Sequence, residues 1–355
     1  ISSNSKTSYN GNYGLNASWT LYNGNKRLKT IQQEKLNNQV AELDVATSEN
    51  NIQESIAQVY IQILYAAESV KVNESTLQVS IAQRDRGQEL LNAGSIAKSD
   101  FAQLEAQVST DRYQLVTAQA TLEDYKLQLK QLLELDGENE MNIYLPALSD
   151  ENVLAPLPTK KDVYIRALSL RPEIEASKLN VEASELGIGI AKSSYLPTIS
   201  LSAGIGTNHT SGSDFTFGEQ VKNGWNNSIG LSVSVPIFNN RQTKSAVQKA
   251  KLQYETSMLS LLDEQKTLYK TIEGLWLDAN SAQQRYAAAN EKLKSTQISY
   301  ELISEQFNLG MKNTIELLTE KNNLLQAQQE QLQAKYMAIL NMQLLKFYQG
   351  DQLAI

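Results

Sequence analysis

The chain has 355 residues and a formal net charge of −7, and 20% of its residues are charged. The lysines and arginines form no cluster, which argues against a nucleic-acid partner, and the absence of cysteine excludes disulfides and thiol chemistry. No apolar run approaches the roughly 18 residues of a transmembrane helix, so strands would have to cross any membrane that this protein spans.

The first predicted element is a strand over residues 13–22, within a segment 1–24. Odd positions are apolar or aromatic and even positions are small or polar, which is the period of a strand with two different faces. About ten residues is the length of a tilted strand that crosses a bilayer. We expect Trp19 and Leu21 to face lipid and Ser18 and Thr20 to face a lumen. A soluble, half-buried sheet is the alternative that alternation alone leaves open.

A long helical hairpin follows over residues 25–136. Residues 25–92 contain no proline, and apolar residues recur at spacings of three and four, which predicts one helix roughly 100 Å long. The tip lies near 92–99. There Gly94 can adopt the left-handed conformation that ends a helix, and Ser99 can cap the returning helix 100–135.

Residues 137–171 form a connector that begins at Gly137, contains three of the six prolines of the chain, and includes a short helix at 160–170. A helix at 172–193, within a segment 172–195, begins at Pro172. A strand hairpin occupies 196–238, with alternating strands at 197–206 and 229–238 and a Gly/Ser/Asn-rich loop between them. Its predicted lipid-facing residues are Ile199, Leu201, Leu231 and Val233.

The second helical hairpin occupies 239–348, with helices at 240–308 and 315–348 and a tip near 308–314. Gly310 is its predicted stop and Thr314 its predicted cap. Residues 349–355 form a C-terminal tail.

The two halves of the chain are related by a constant offset in residue number, 310 − 94 = 216, which sets Gly94 on Gly310 and Asp100 on Glu316. This long match predicts a tandem duplication. The counterpart of residues 159–224 in the first copy is largely missing, so we expect roughly fifty residues of the first repeat, including its first strand, to be absent from this chain. Any signal peptide or lipid-bearing cysteine would have been lost with them.

Three short segments and a pair of turns carry a resemblance to a known family. They are residues 170–174 (LRPEI) opening a helix, 195–201 (YLPTISL) entering a strand, 235–239 (VPIFN) leaving one, and the paired turns at Gly94 and Gly310. In this order and spacing, nearly the whole chain resembles the TolC-like outer-membrane efflux proteins, or outer membrane factors. The resemblance implies a mainly α fold with transmembrane β structure. Three subunits, with four strands each, would form a twelve-stranded outer-membrane barrel, continued by a long α-helical barrel in the periplasm of a Gram-negative bacterium.

The implied function is passive conduction in a tripartite efflux or type I secretion system. A periplasmic adaptor protein would dock at the tips and join the homotrimer to an RND or ABC inner-membrane pump. The resemblance implies no catalysis, cofactor or metal, and outer-membrane lipid would be the remaining partner. The predicted docking residues lie at the two turns: Gly94, Ser95, Ile96, Gly310, Met311 and Asn313.

The resemblance also implies a gate near the second tip, where acidic residues ring the pore. Glu316 falls at the first acidic position and Lys312 at the basic one, while Asp100 is the equivalent residue of the first repeat. The chain departs from the family pattern at the second acidic position, Thr319, and at the tyrosine position, Phe307. An ordinary surface ion pair between Lys312 and Glu316, four residues apart on one helix, is the alternative.

Two other function classes predict different sequences. A soluble coiled-coil scaffold or interaction protein would share the helical pattern, but it has no reason to include strands long enough to cross a bilayer. An enzyme would need a convergent polar pocket, whereas the only histidine, His209, lies in a predicted loop and the carboxylates are scattered on polar faces.

Overall fold

The computed structural model describes residues 8–135, 143–144 and 153–353. The start of segment 1–24, residues 136–142 and 145–152 of the predicted hairpin end and connector, and the last two residues of the tail lie outside the described residues. In chain order, the described strands and α-helices are β1 (Asn10–Asn23), α1 (Lys26–Asn92), α2 (Lys98–Leu132), α3 (Lys160–Leu170), α4 (Pro172–Lys192), β2 (Thr198–Thr210), α5 (Phe217–Asn223), β3 (Asn226–Ser234), α6 (Gln242–Asn308) and α7 (Thr314–Tyr348), and a short 3-10 helix follows α4 at Ser193–Tyr195.

The backbone confirms the tandem duplication. Helices α1 and α6 have 67 residues each, α2 and α7 have 35 each, and both ends of each pair differ by 216. Left-handed backbone conformations recur at the same offset, in the pairs Gly24 and Asn240, Asn25 and Arg241, Gly94 and Gly310, and Glu134 and Gly350. The two repeats therefore share their turns as well as their helices.

The chain divides into two compact units, residues 1–43 with 175–263, and residues 44–174 with 264–355. The first unit contains an antiparallel sheet in the order β1-β2-β3. Trp19 pairs with Leu201, which pairs with Leu231, while Ser18 pairs with Ser202. Cross-strand partners share a face, so the register stacks apolar rows on one face and small polar rows on the other, as the alternation predicts.

A β-bulge between Thr20 and Tyr22 interrupts the first strand. Leu21 falls inside the bulge, and Tyr22 pairs with Ile199, which pairs with Val233. Tyr22 therefore joins the apolar rows, a position that strict alternation assigned to a polar face. The lipid-facing assignment of Leu21 remains a prediction.

The prediction for the end of the third strand was wrong, because β3 ends at Ser234 rather than at residue 238. Pro236 has no N–H to donate and restricts the backbone of Val235, so pairing stops before them. The predicted loop between the second and third strands was also too long. Strand β2 continues to Thr210, and α5 lies between the strands.

A capping box explains the unpredicted helix α5. The hydroxyl of Thr216 accepts a hydrogen bond from the N–H of Glu219 at 3.4 Å, and the Glu219 carboxylate accepts one from the N–H of Thr216 at 2.9 Å. The Thr-x-x-Glu spacing was a usable signal in the sequence.

In the second unit, two apolar clusters hold the helices together. One joins Ile61 and Leu64 of α1 to Tyr286 of α6 and Leu344 of α7. The other packs α3 and the start of α4 against α6 and α7, with Val163, Ala167, Ile174, Ile272 and Leu345 among its members. This packing holds the long helices side by side and positions the two hairpin turns.

Arg171, between α3 and α4, is a buried anchor of this unit. Its Nη2 donates to Glu54 Oε1 at 2.8 Å, and its guanidinium carbon lies 3.6 Å from the centroid of the Tyr348 ring. Burial raises the pKa of the Tyr348 hydroxyl to about 12, so the ring remains neutral beneath the cation. These contacts give the segment 170–174 a structural role.

Candidate functional site

The two hairpin turns have the same hydrogen bonds. In the first turn, the N–H of Gly94 donates to the Leu91 carbonyl at 2.9 Å, and the N–H of Ser95 donates to the Leu90 carbonyl at 2.8 Å. This is a Schellman motif, and the second turn repeats both bonds around Gly310. The φ angles of the two glycines are +76° and +73°, a conformation that strains other residues. Both turns are therefore defined by their backbone.

The second turn presents the larger apolar surface. Met311 is 71% exposed, and Leu309 and Ile315 on either side of it are also exposed. In the first turn Ser95 is exposed, while Ile96 is half-buried. Leu309 and Ile315 were not among the predicted docking residues, although they flank them.

The predicted cap of α2 was wrong. Ala97 occupies the cap position instead of Ser99, and its N–H donates to the Asp100 carboxylate at 3.4 Å. The Asp100 side chain reaches back three residues and accepts from the Ala97 N–H, so this donor is satisfied without a contribution from Ser99.

The predicted cap of α7 was wrong as well, because Asn313 takes that position and Thr314 is buried. Asn313 Oδ1 accepts from the Glu316 N–H at 2.9 Å, and Glu316 Oε2 accepts from the Asn313 N–H at 3.2 Å. Glu316 therefore closes a capping box, a signal that Asn-x-x-Glu carries in the sequence.

Glu316 also forms an ion pair with Lys312. Lys312 Nζ lies 2.5 Å from Glu316 Oε1, and both side chains are half-exposed. The hydrogen bond from Lys312, followed by the one from the Asn313 N–H, lowers the pKa of the Glu316 carboxyl. Lys312 precedes the first residue of α7, so the expectation that both residues lie on one helix was wrong. The surface ion pair itself is confirmed, and a pore-facing role for Glu316 remains a prediction.

The other predicted gate residues lie in different surroundings. Phe307 is buried within its hairpin, where the hydroxyl of a tyrosine at this position would need a hydrogen-bond partner. Thr319 is exposed, and its hydroxyl donates to the Ile315 carbonyl at 2.8 Å. The structure therefore brings Lys312 and Glu316 together, and it places Phe307 in the packed interior.

A buried charged cluster, which was not predicted from the sequence, joins the two repeats. Lys321 of α7 is 3% exposed, and its ammonium donates to Asp111 of α2 and to Ser80 of α1. Ser80 also donates to Asp111, which is 1% exposed and accepts a third bond, from Gln107 at 2.8 Å. Burial lowers the pKa of Lys321, while Asp111 opposes that shift by favouring the ammonium form.

A signal for this cluster was present in the sequence. Lys321 lies between Leu317 and Leu324 on the buried face of α7, and Asp111 follows Val108 on the buried face of α2. A charged residue in an apolar helical stripe needs a partner, because an unpaired buried charge is very costly.

Within the described ranges, none of the helices is long and apolar enough to cross a membrane.

The profile of the outer membrane efflux protein family matches residues 163–350, which is more than half of the chain. The chain belongs to the outer membrane efflux protein family.

Individual relatives agree with this membership. The chain is 24% identical over 290 residues to the outer membrane efflux protein BepC of Brucella suis biovar 1. The aligned region covers 81% of this chain and 60% of BepC. It is 23% identical over 311 residues to the outer membrane protein TolC of Escherichia coli K12, covering 85% of this chain and 62% of TolC. The chain thus spans about three fifths of the length of these two relatives.

The crystal structure of CusC shows the same fold. The TM-score is 0.82 at 19% sequence identity, over 99% of this chain and 80% of the CusC chain. These findings confirm the predicted family, the fold class of long helices with an antiparallel sheet, and the location in the outer membrane. The docking, gate and lipid-facing assignments remain predictions.

Proposed function

We propose that this protein is a passive exit duct across the outer membrane in a tripartite efflux or type I secretion system, and that it catalyses no reaction. The observation that carries the proposal is the apolar face of the sheet, where Trp19, Leu201 and Leu231 form a continuous row. Trp19 and Leu231 are exposed, and such a row suits a lipid environment rather than water. The rows of serine on the opposite face of the sheet suit a water-filled lumen.

The functional unit of the proposal is a homotrimer. In the described sheet, β1 and β3 are edge strands, and closing them into a barrel with other copies satisfies their backbone groups. The strands in segments 1–24 and 196–238 would form the barrel, and the hairpins 25–136 and 239–348 would form the periplasmic part. Segments 137–171 and 172–195 would connect them.

We further propose that a periplasmic adaptor docks at the two turns and thereby connects the duct to an RND or ABC pump. Support comes from the exposed apolar side chains of Leu309, Met311 and Ile315 at the second turn. Ile96 provides a smaller apolar contact at the first turn.

Charged substitutions at both turns should separate docking from assembly. The double variant Ile96→Asp, Met311→Asp should abolish efflux and adaptor binding, because it buries two carboxylates in an apolar contact, and it should leave trimer formation unchanged. Adaptor pull-down and efflux in cells that depend on this protein measure both effects. Asn51→Asp adds the same charge to an exposed position of α1 far from either turn and should have no effect. Normal efflux by the double variant would refute docking at the turns.

The proposed gate is a ring of three Glu316 carboxylates, each neutralised by its own Lys312. Glu316→Gln should make the duct more anion-selective, because it leaves three ammonium groups at the constriction. Lys312→Gln is the matched opposite variant, and it should make the duct more cation-selective and more sensitive to block by divalent cations. Glutamine can still accept the bond from the Asn313 N–H, so trimer stability should change little.

Planar-bilayer recordings of the wild-type protein and both variants test the duct and the gate together. Conductance by the wild-type protein supports the duct, and opposite selectivity shifts support the ring. If both variants conduct and block like the wild type, the ion pair is an ordinary surface pair. A wild-type protein that inserts without conducting would overturn the proposed function.

A further inference from the structure

Helix α5 packs against the sheet through an aromatic contact and a hydrogen bond. The ring centroid of Phe217 lies 5.0 Å from that of His209 and 6.4 Å from that of Tyr13. Thr207 Oγ1 donates to the Val221 carbonyl at 2.9 Å. His209 lies in β2 rather than in the predicted loop, and it therefore takes part in holding α5 in place.

The face of the sheet that α5 covers is the one with the apolar rows. Side chains two residues apart along a strand point to the same side, so Thr207 shares a face with Ile205 and Leu201. Thr207 also pairs with Tyr13, which shares a face with Trp19. The serine rows lie on the opposite face. Helix α5 is therefore on the side of the sheet proposed to face lipid, and not on the side proposed to face the lumen.

The height of α5 corresponds to one border of the apolar band. Ile199 belongs to the last apolar row before the helices, and it precedes Thr207 by 207 − 199 = 8 positions. At about 3.3 Å per residue and a strand tilt of about 40°, this separation is roughly 20 Å along the barrel axis. The apolar band of a membrane barrel is about 25 Å tall, so α5 lies near the level at which hydrocarbon gives way to headgroups.

The side chains around α5 suit that level. Glu219 and Lys222 of the helix are exposed, and their charges favour the polar headgroup layer over hydrocarbon. Exposed aromatic side chains flank the helix, with Phe215 before it and Trp225 after it. Aromatic rings are enriched where headgroups meet hydrocarbon. The segment thus combines the two chemistries of a membrane interface.

We propose that α5 lies in the headgroup layer of the outer leaflet, on the lipid side of the barrel, where its contacts with Tyr13 and His209 hold it against the sheet. Its partner is the lipid surface, and the inference rests on the proposed outer-membrane duct. The connection between β2 and β3 therefore leaves the mouth of the duct uncovered and fixes the depth of the sheet in the bilayer.

Depth-dependent fluorescence quenching tests this placement. The chain has no cysteine, so one introduced cysteine carries a single bimane label. Gly218→Cys provides the site on α5, because a Cβ at Gly218 would face open space. The labelled protein is reconstituted into phosphatidylcholine vesicles whose lipids carry a nitroxide either on the headgroup or deep in the acyl chain. The headgroup nitroxide should quench the Gly218 label several-fold more strongly than the deep nitroxide.

Leu231→Cys and Ser232→Cys, neighbours on β3, provide matched controls. The deep nitroxide should quench the Leu231 label, and neither nitroxide should quench the Ser232 label strongly. If the Leu231 label behaves in this way but neither nitroxide quenches the Gly218 label, α5 lies away from the lipid and the inference is overturned. Strongest quenching of the Gly218 label by the deep nitroxide would also overturn it. If the Leu231 label is quenched no more than the Ser232 label, the lipid-facing sheet and the proposed duct fail.

A substitution of Phe217 tests how α5 is held. With the label at Gly218→Cys, Phe217→Ser should lower headgroup quenching by about two-fold or more, because it removes the ring contacts with Tyr13 and His209. Phe217→Tyr retains the ring and should keep the quenching of the labelled parent. Equal quenching in the serine and tyrosine variants would contradict an aromatic anchor for α5.

Discussion

Replacing Lys321 with methionine should lower the free energy of unfolding by about 3–5 kcal/mol, because it leaves the Asp111 carboxylate buried without its cation. Lys321 and Asp111 are both almost completely buried, and they join α7 of the second repeat to α2 of the first. Helical content followed by circular dichroism during denaturant unfolding measures the loss. The double variant Lys321→Met, Asp111→Leu should recover most of the stability, since it removes both charges.

A surface ion pair provides the control for that experiment. Lys71 pairs with Glu68 at 2.7 Å on the exposed face of α1, and exposed pairs of this kind contribute about 0–1 kcal/mol. Lys71→Met should therefore leave the unfolding transition nearly unchanged. If Lys321→Met behaves like Lys71→Met, the buried cluster does not hold the two hairpins together.

Replacing Leu231 with arginine should cost about 2–4 kcal/mol of folded protein in a membrane, because the side chain would face lipid near the middle of the bilayer. Ser232→Arg should be tolerated, because the next residue along β3 faces the opposite side of the sheet. Leu231 shares its row with Trp19 and Leu201, whereas Ser232 pairs with Ser200. The fraction of assembled protein in the outer membrane measures both variants. Equal losses from the two substitutions would contradict the assignment of the faces.

Local signals predicted much of the fold. The ends of α1 and α6 were predicted where apolar residues at spacings of three and four give way to a glycine. Both glycines, Gly94 and Gly310, adopt positive φ as predicted. The faces of the strands follow from period two, because the pleat alternates side chains irrespective of the partner strand. Three misses had local signals that were available: the capping boxes at Thr216 and Asn313, and the proline that ends β3.

Other features depend on partners that a single sequence does not specify. The bulge at Leu21 arises from pairing with β2, and therefore it transfers an apolar position to Tyr22 without any change in the alternation pattern. The pattern shows that Lys321 lies on a buried face. Tertiary packing determines that its ammonium donates to Ser80 and Asp111. The candidate gate also depends on partners. The spacing of Lys312 and Glu316 predicts their contact, but a pore can form only when further copies of the chain assemble.

The most direct test of the trimeric outer-membrane duct is the mass of the purified protein in detergent, measured by light scattering with the detergent contribution subtracted. We expect a particle of three chains that precipitates when the detergent is removed, because the apolar rows of the sheet would then meet water. A monomer or dimer that remains dispersed without detergent would contradict it and would favour the soluble coiled-coil scaffold.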